Sequence, residues 1–109
     1  MKLRIVATLV LALFGLVLAA SPAQADEGTY LQQIRQPNQV FITVTNAQLL
    51  KLGYVGCGAM RAAINSGTSM ANARGQADQA IAQAANTMGL ESDRATVMNI
   101  TEEAEHNLC

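Results

Sequence analysis

Cys57 and Cys109 are the only thiols of this 109-residue chain, and His106 is its only imidazole. Three kinds of chemistry could use them. A dithiol redox site needs either a close Cys-x-x-Cys pair or an exposed thiolate near positive charge, whereas these cysteines lie far apart in sequence and Cys57 falls among apolar residues. Nucleophilic catalysis would need His106 as the base, three residues before the last position and beside acidic residues, and the chain has no nucleophile elbow, phosphate loop or glycine fingerprint. Metal binding is suggested by Glu103-Ala104-Glu105-His106, which has the Glu-x-x-His spacing of four-helix carboxylate sites. Such a site takes a second copy of the motif and two further glutamates, so only a homodimer would complete it. His106 reads better as an exposed residue that eases a helix end or pairs with Glu102 one turn earlier. The expectation is therefore no catalytic residue, no metal and no cofactor, with Cys57 and Cys109 joined as a structural disulfide.

That pairing requires an oxidising compartment, and the N-terminus supplies the means to reach one. Lys2 and Arg4 form a basic start, residues 5–20 carry no charge, and Ala23-Gln24-Ala25 has the small residues signal peptidase requires, so cleavage is expected after Ala25. Sixteen uncharged residues fall short of the roughly 20 that span a bilayer, which argues against a retained anchor. Residues 1–25 thus read as a signal peptide and 26–109 as one domain, secreted or held in the cell envelope, with no membrane span after processing. The domain has five basic residues against eight acidic ones, a balance that argues against nucleic acid, whose phosphates demand clustered Lys and Arg. Tyr30, Phe41 and Tyr54 are its only aromatic residues and alanine dominates its apolar set, so its core is thin and a cross-link matters.

The elements that must position the cysteines read as helices. Tyr30, Leu31 and Ile34 suit one or two turns ending before Pro37. Val40 to Val44 has strand propensity but no partner strand, and is expected to be an extended connector, with a hairpin or intermolecular strand as the lesser reading. Thr45-Asn46-Ala47-Gln48 fits a capping box, and Leu49, Leu52 or Gly53, Cys57, Met60 and Ile64 follow at helical spacing until Gly67 ends the helix. Ser69 is expected to cap a third helix with Met70, Ala73, Ala77, Ala80 or Ile81, Ala84 and Met88 on one face; Gly75 could divide it and Gly89 ends it. Ser92 is expected to cap the last helix, whose stripe is Val97, Ile100, Ala104 and Leu108. Its C-terminal half carries Glu102, Glu103 and Glu105, which the helix dipole opposes, so this end would fray unless a bond from Cys109 to Cys57 held it.

Gly53, Gly56 and Gly58 inside a helix each cost about 1 kcal/mol relative to alanine and need a reason. Close approach of a neighbouring helix is one. A groove for an apolar ligand, formed by Gly53, Tyr54, Gly56 and Met60, is the other.

The signal peptide, Tyr30-Leu31 with Ile34-Arg35, Leu52-Gly53 just ahead of Cys57, and a final helix ending in cysteine together resemble the domain of unknown function 732 family, small exported proteins chiefly of mycobacteria and their relatives. The resemblance implies a compact helical domain with Cys57 and Cys109 paired, and no catalytic residues. Two departures are Leu108 where an aromatic often precedes the last cysteine, and a later glycine, Gly67, after the first. The fold expected is all-α, a bundle of three to four helices with an extended connector and one disulfide. The function expected is a structural or interaction module meeting an envelope or extracellular protein, the alternative being a small apolar-ligand, lipid-type binder.

Overall fold

The structure, a computed structural model, describes residues 26–36 and 43–109. The expected signal segment, 1–25, and most of the Val40 to Val44 connector lie outside the described residues. Among the described residues there are four helices and no strand: α1 Glu27–Arg35, α2 Asn46–Asn65, α3 Met70–Thr87 and α4 Arg94–Asn107.

Each helix begins where a side-chain oxygen meets an amide that has no partner inside the helix. Asp26 accepts from Thr29 N at 3.0 Å, Ser69 from Asn72 N at 3.2 Å and Asp93 from Thr96 N at 2.8 Å. At α2 the capping box is complete: Thr45 Oγ1 accepts from Gln48 N at 3.1 Å, and Thr45 N donates to Gln48 Oε1 at 3.0 Å. The last cap falls on Asp93, one residue beyond the expected Ser92. A carboxylate there sets a full negative charge against the positive end of the helix.

Gly67 and Gly89 close α2 and α3 with φ of 93° and 76°, a region that suits glycine. Both ends are Schellman motifs. Thr68 N and Leu90 N reach back to Ala63 O and Ala85 O at 2.9 Å, while Gly67 N and Gly89 N donate to Ile64 O and Asn86 O at 3.0 Å. α3 runs unbroken through Gly75, beside which a methyl group would meet nothing within 4 Å.

α2 is the central helix, packed along α3 and touching α4 and α1, while α1 also lies against α4. The main core brings Tyr30 and Ile34 of α1 onto Leu49 and Leu52 of α2, Ile81 of α3 and Ile100 of α4. A second cluster, Met60 and Ala63 against Ala73 and Ala77, fills the far end of the α2–α3 pair. The expected stripe of α4 is buried throughout, from Val97 to Leu108. Two expected core residues are exposed, Ile64 at 41 % and Met70 at 42 %, while Leu31, Ala84 and Met88 are half-buried. Burial of Met60 and Ala63 turns Ile64 outward by helical rotation, and the close α2–α3 contact built from alanines leaves the longer Met70 side chain outside.

Candidate functional site: a clasped C-terminal helix

The buried stripes of α2 and α4 put the two cysteines together. Cys57, 3 % exposed, is bonded to Cys109 across a Cα–Cα distance of 5.6 Å, within the range a disulfide bridges. No free cysteine is left. The bond has company at the same end of α4. Leu108 is buried against Gly53, Arg61 Nη2 donates to the Cys109 carbonyl at 3.2 Å, and Asp26 N donates to the Asn107 carbonyl at 2.6 Å. Arg74 of α3 grips Glu105 with Nε and Nη2, each 2.8 Å from a carboxylate oxygen. The acidic half of α4, unfavourable for an isolated helix, is thus held by one covalent bond, an arginine fork and two donors on its last carbonyls.

The four residues of the expected ligand groove are not brought together around an open space. A methyl group at Gly53 would lie 2.5 Å from Leu108 Cδ1 and 2.7 Å from the Tyr30 ring, and one at Gly56 would lie 2.6 Å from Ile81 Cδ1. These two glycines admit side chains of the chain itself. Met60 is buried in the second cluster, and Tyr54 points away at 40 % exposure, its hydroxyl donating to Glu27 Oε2 at 2.6 Å. That bond to a carboxylate pushes the Tyr54 hydroxyl up to about 12. Gly58 has nothing within 4 Å of its Cβ direction. A small pocket beside Leu49, Leu52 and Ile100 has a volume of about 20 Å³, room for about one water.

Comparison with protein-family models, curated proteins and solved structures finds no match for this chain. The site therefore rests on its own geometry.

The larger openings are on the outside. A groove of about 550 Å³ runs between α3 and α4, with Met98, 48 % exposed, and Ala95 among its apolar lining and Arg74, Glu102, Glu105 and His106 at its charged margin. Thr101, almost fully buried beneath it, donates to Asp78 Oδ1 at 2.5 Å and fixes the two helices in register. The Arg74 guanidinium is the main cause holding the Glu105 carboxyl below its ordinary range, with partial burial opposing it and His106 adding a smaller positive influence. His106 itself is exposed. Among the described residues, no group of three or more His, Cys, Asp or Glu side chains is placed to hold a metal ion, and no helix is long and apolar enough to cross a membrane.

Two residues that carry the family resemblance, Tyr30 and Arg35, have positioning roles that the sequence did not assign. The Tyr30 hydroxyl, buried with its ring, donates to Leu49 O at 2.5 Å, and burial together with the negative charge of Glu103 drives its pKa well above the usual phenol range. Arg35 Nη2 donates to Val44 O and Asn46 Oδ1, both at 2.7 Å, tying the end of α1 to the start of α2 across the intervening chain. The sequence signal for these roles is residue type: a lone tyrosine in an apolar triplet needs a partner when buried, and arginine in a last helical turn suits nearby carbonyls.

Proposed function

We propose that the protein is an exported, non-enzymatic helical module of the cell envelope or its exterior, acting as a structural or interaction partner for another protein. The observation that carries this reading is where the apolar surface lies. The space that a lipid-type ligand would need beside Gly53 and Gly56 is taken by Tyr30, Leu108 and Ile81. Apolar side chains remain instead on outer faces, at Tyr54, Ile64, Met70 and Met98, the last of these on the α3–α4 groove with charged neighbours of both signs. An apolar spot within a polar rim is the common anatomy of a protein-binding surface. The disulfide supports an oxidising location, and the likeness of the cysteine frame to the domain of unknown function 732 family supports the same placement.

Native mass spectrometry of the exported, oxidised protein tests the reading. The expected species is the chain with its disulfide and no retained small molecule, alone or in complex with a polypeptide. A lipid or other apolar molecule retained at one per chain would overturn it in favour of ligand binding.

A further inference from the structure

Asp26 is the residue that the expected signal cleavage would expose, and its backbone nitrogen is the atom that donates to the last carbonyl of α4. From that coincidence we infer that α4 provides a seat for the α-ammonium of the processed chain, so that cleavage after Ala25 creates a charged group where the C-terminal end of α4 receives it. The inference rests on the export reading.

The geometry has three parts. The nitrogen, an amide in the full chain, lies 2.6 Å from Asn107 O, close enough for a charge-assisted bond once it is an ammonium. Asn107 is the final residue of α4, where unpaired carbonyls leave about half a negative charge. Asp26 is fixed on its other side, because its carboxylate caps α1 through Thr29 N and its carbonyl accepts from Tyr30 N at 3.0 Å. The nitrogen is therefore delivered by a rigid helix start rather than by a loose end. Before cleavage it is an amide and brings no net charge. After cleavage the same atom is an ammonium opposite the negative end of a helix already burdened with glutamates. The same contact would hold α1 onto α4 next to the Cys57–Cys109 bond.

Of the charged groups on α1, α2 and α4, the Asp26 carboxylate belongs to the same residue, Glu103 accepts from Asn107 Nδ2 at 3.2 Å, and Arg61 donates to the Cys109 carbonyl at 3.2 Å. The Asp26 and Glu103 carboxylates add to the attraction, and the Asp26 carboxylate, by capping α1, offsets the positive end of that helix, which opposes a charge on this nitrogen. An α-amino group titrates near 8 when free, and this seat favours its charged form, so the folded value is raised. The contribution is then fully present below about pH 8 and is lost as pH rises through the raised folded value.

The test compares three oxidised chains made with defined N-termini: one starting at Asp26, one retaining Ala25, and one starting at Asp26 but N-acetylated. At pH 6 the free Asp26 chain should have an unfolding constant lower than the other two by about 2- to 5-fold, the range for a charge at a helix end. The three should converge at pH 10. Equal constants at pH 6, or a difference that persists unchanged at pH 10, would overturn the seat. Mass measurement of the exported chain reports separately where cleavage occurs, so a different processing site would count against the export reading, while the three defined chains decide whether the seat exists.

Discussion

Three glycines in one helix should respond to the same substitution in different ways, and the difference can be worked out from what surrounds them. Alanine at exposed Gly58 meets nothing within 4 Å and has only the gain in helix propensity, so Gly58→Ala should stabilise by about 0.5–1 kcal/mol. Gly53→Ala has the same gain but places its methyl 2.5 Å from Leu108 Cδ1 and 2.7 Å from the Tyr30 ring and hydroxyl. Leu108 can turn, but the Tyr30 ring is fully buried and held by its 2.5 Å bond to Leu49 O. Moving it carries an overpacking cost of about 1–3 kcal/mol and strains a hydrogen bond worth about 1 kcal/mol, so the net change should be a loss of about 1–3 kcal/mol. Gly56→Ala presses on Ile81 Cδ1, the flexible tip of a side chain, and should lie between the other two. Urea denaturation of the oxidised proteins, followed by circular dichroism, gives the midpoints. The order should be Gly58→Ala, the parent, Gly56→Ala, then Gly53→Ala, with unchanged m-values. A Gly53→Ala protein as stable as Gly58→Ala would refute the close packing of α1 and α4 on α2, and would return Gly53 to the lining of an open groove.

The remaining predictions concern the clasp. Reducing the Cys57–Cys109 bond, or replacing both cysteines by alanine, frees a loop closed over a separation of 52 residues and should cost about 4 kcal/mol in the chain-entropy model, read as a lowered urea midpoint. A midpoint that does not move on reduction would sink the proposal that the bond holds α4 in place. Glu105 is held below its ordinary pKa by Arg74, so its contribution is present above the unfolded carboxyl value near 4.5 and is lost as pH falls through the lower folded value. Acid titration of stability should therefore show a loss below about pH 4.5 that Arg74→Gln reduces, by no more than about 1 kcal/mol given that the pair is partly exposed. An identical pH profile in the variant would exclude the arginine fork as a contributor.

What could be read along the chain was what local chemistry controls. The capping box at Thr45, the glycine ends at Gly67 and Gly89 and the helical periodicity of Val97, Ile100, Ala104 and Leu108 each depend on atoms a few residues apart, and all are present. The pairing of Cys57 with Cys109 followed because only two thiols exist, one on an apolar stripe and the other directly after one. Helical rotation decided finer matters. Ile64 and Met70 satisfy the spacing of a buried stripe, yet which of several adjacent stripes faces inward is set by the neighbouring helix, and α3 chose the one ending in Ala63. Whether Gly53 and Gly56 would open a groove or admit a side chain likewise had two answers until α1, α3 and α4 took their places, because a missing methyl group is only space and the fold determines what occupies it. The long-range contacts, Arg74 with Glu105, Tyr30 with Leu49 and Asp26 with Asn107, leave no mark in local spacing, since they join residues that nothing but packing brings within bonding distance.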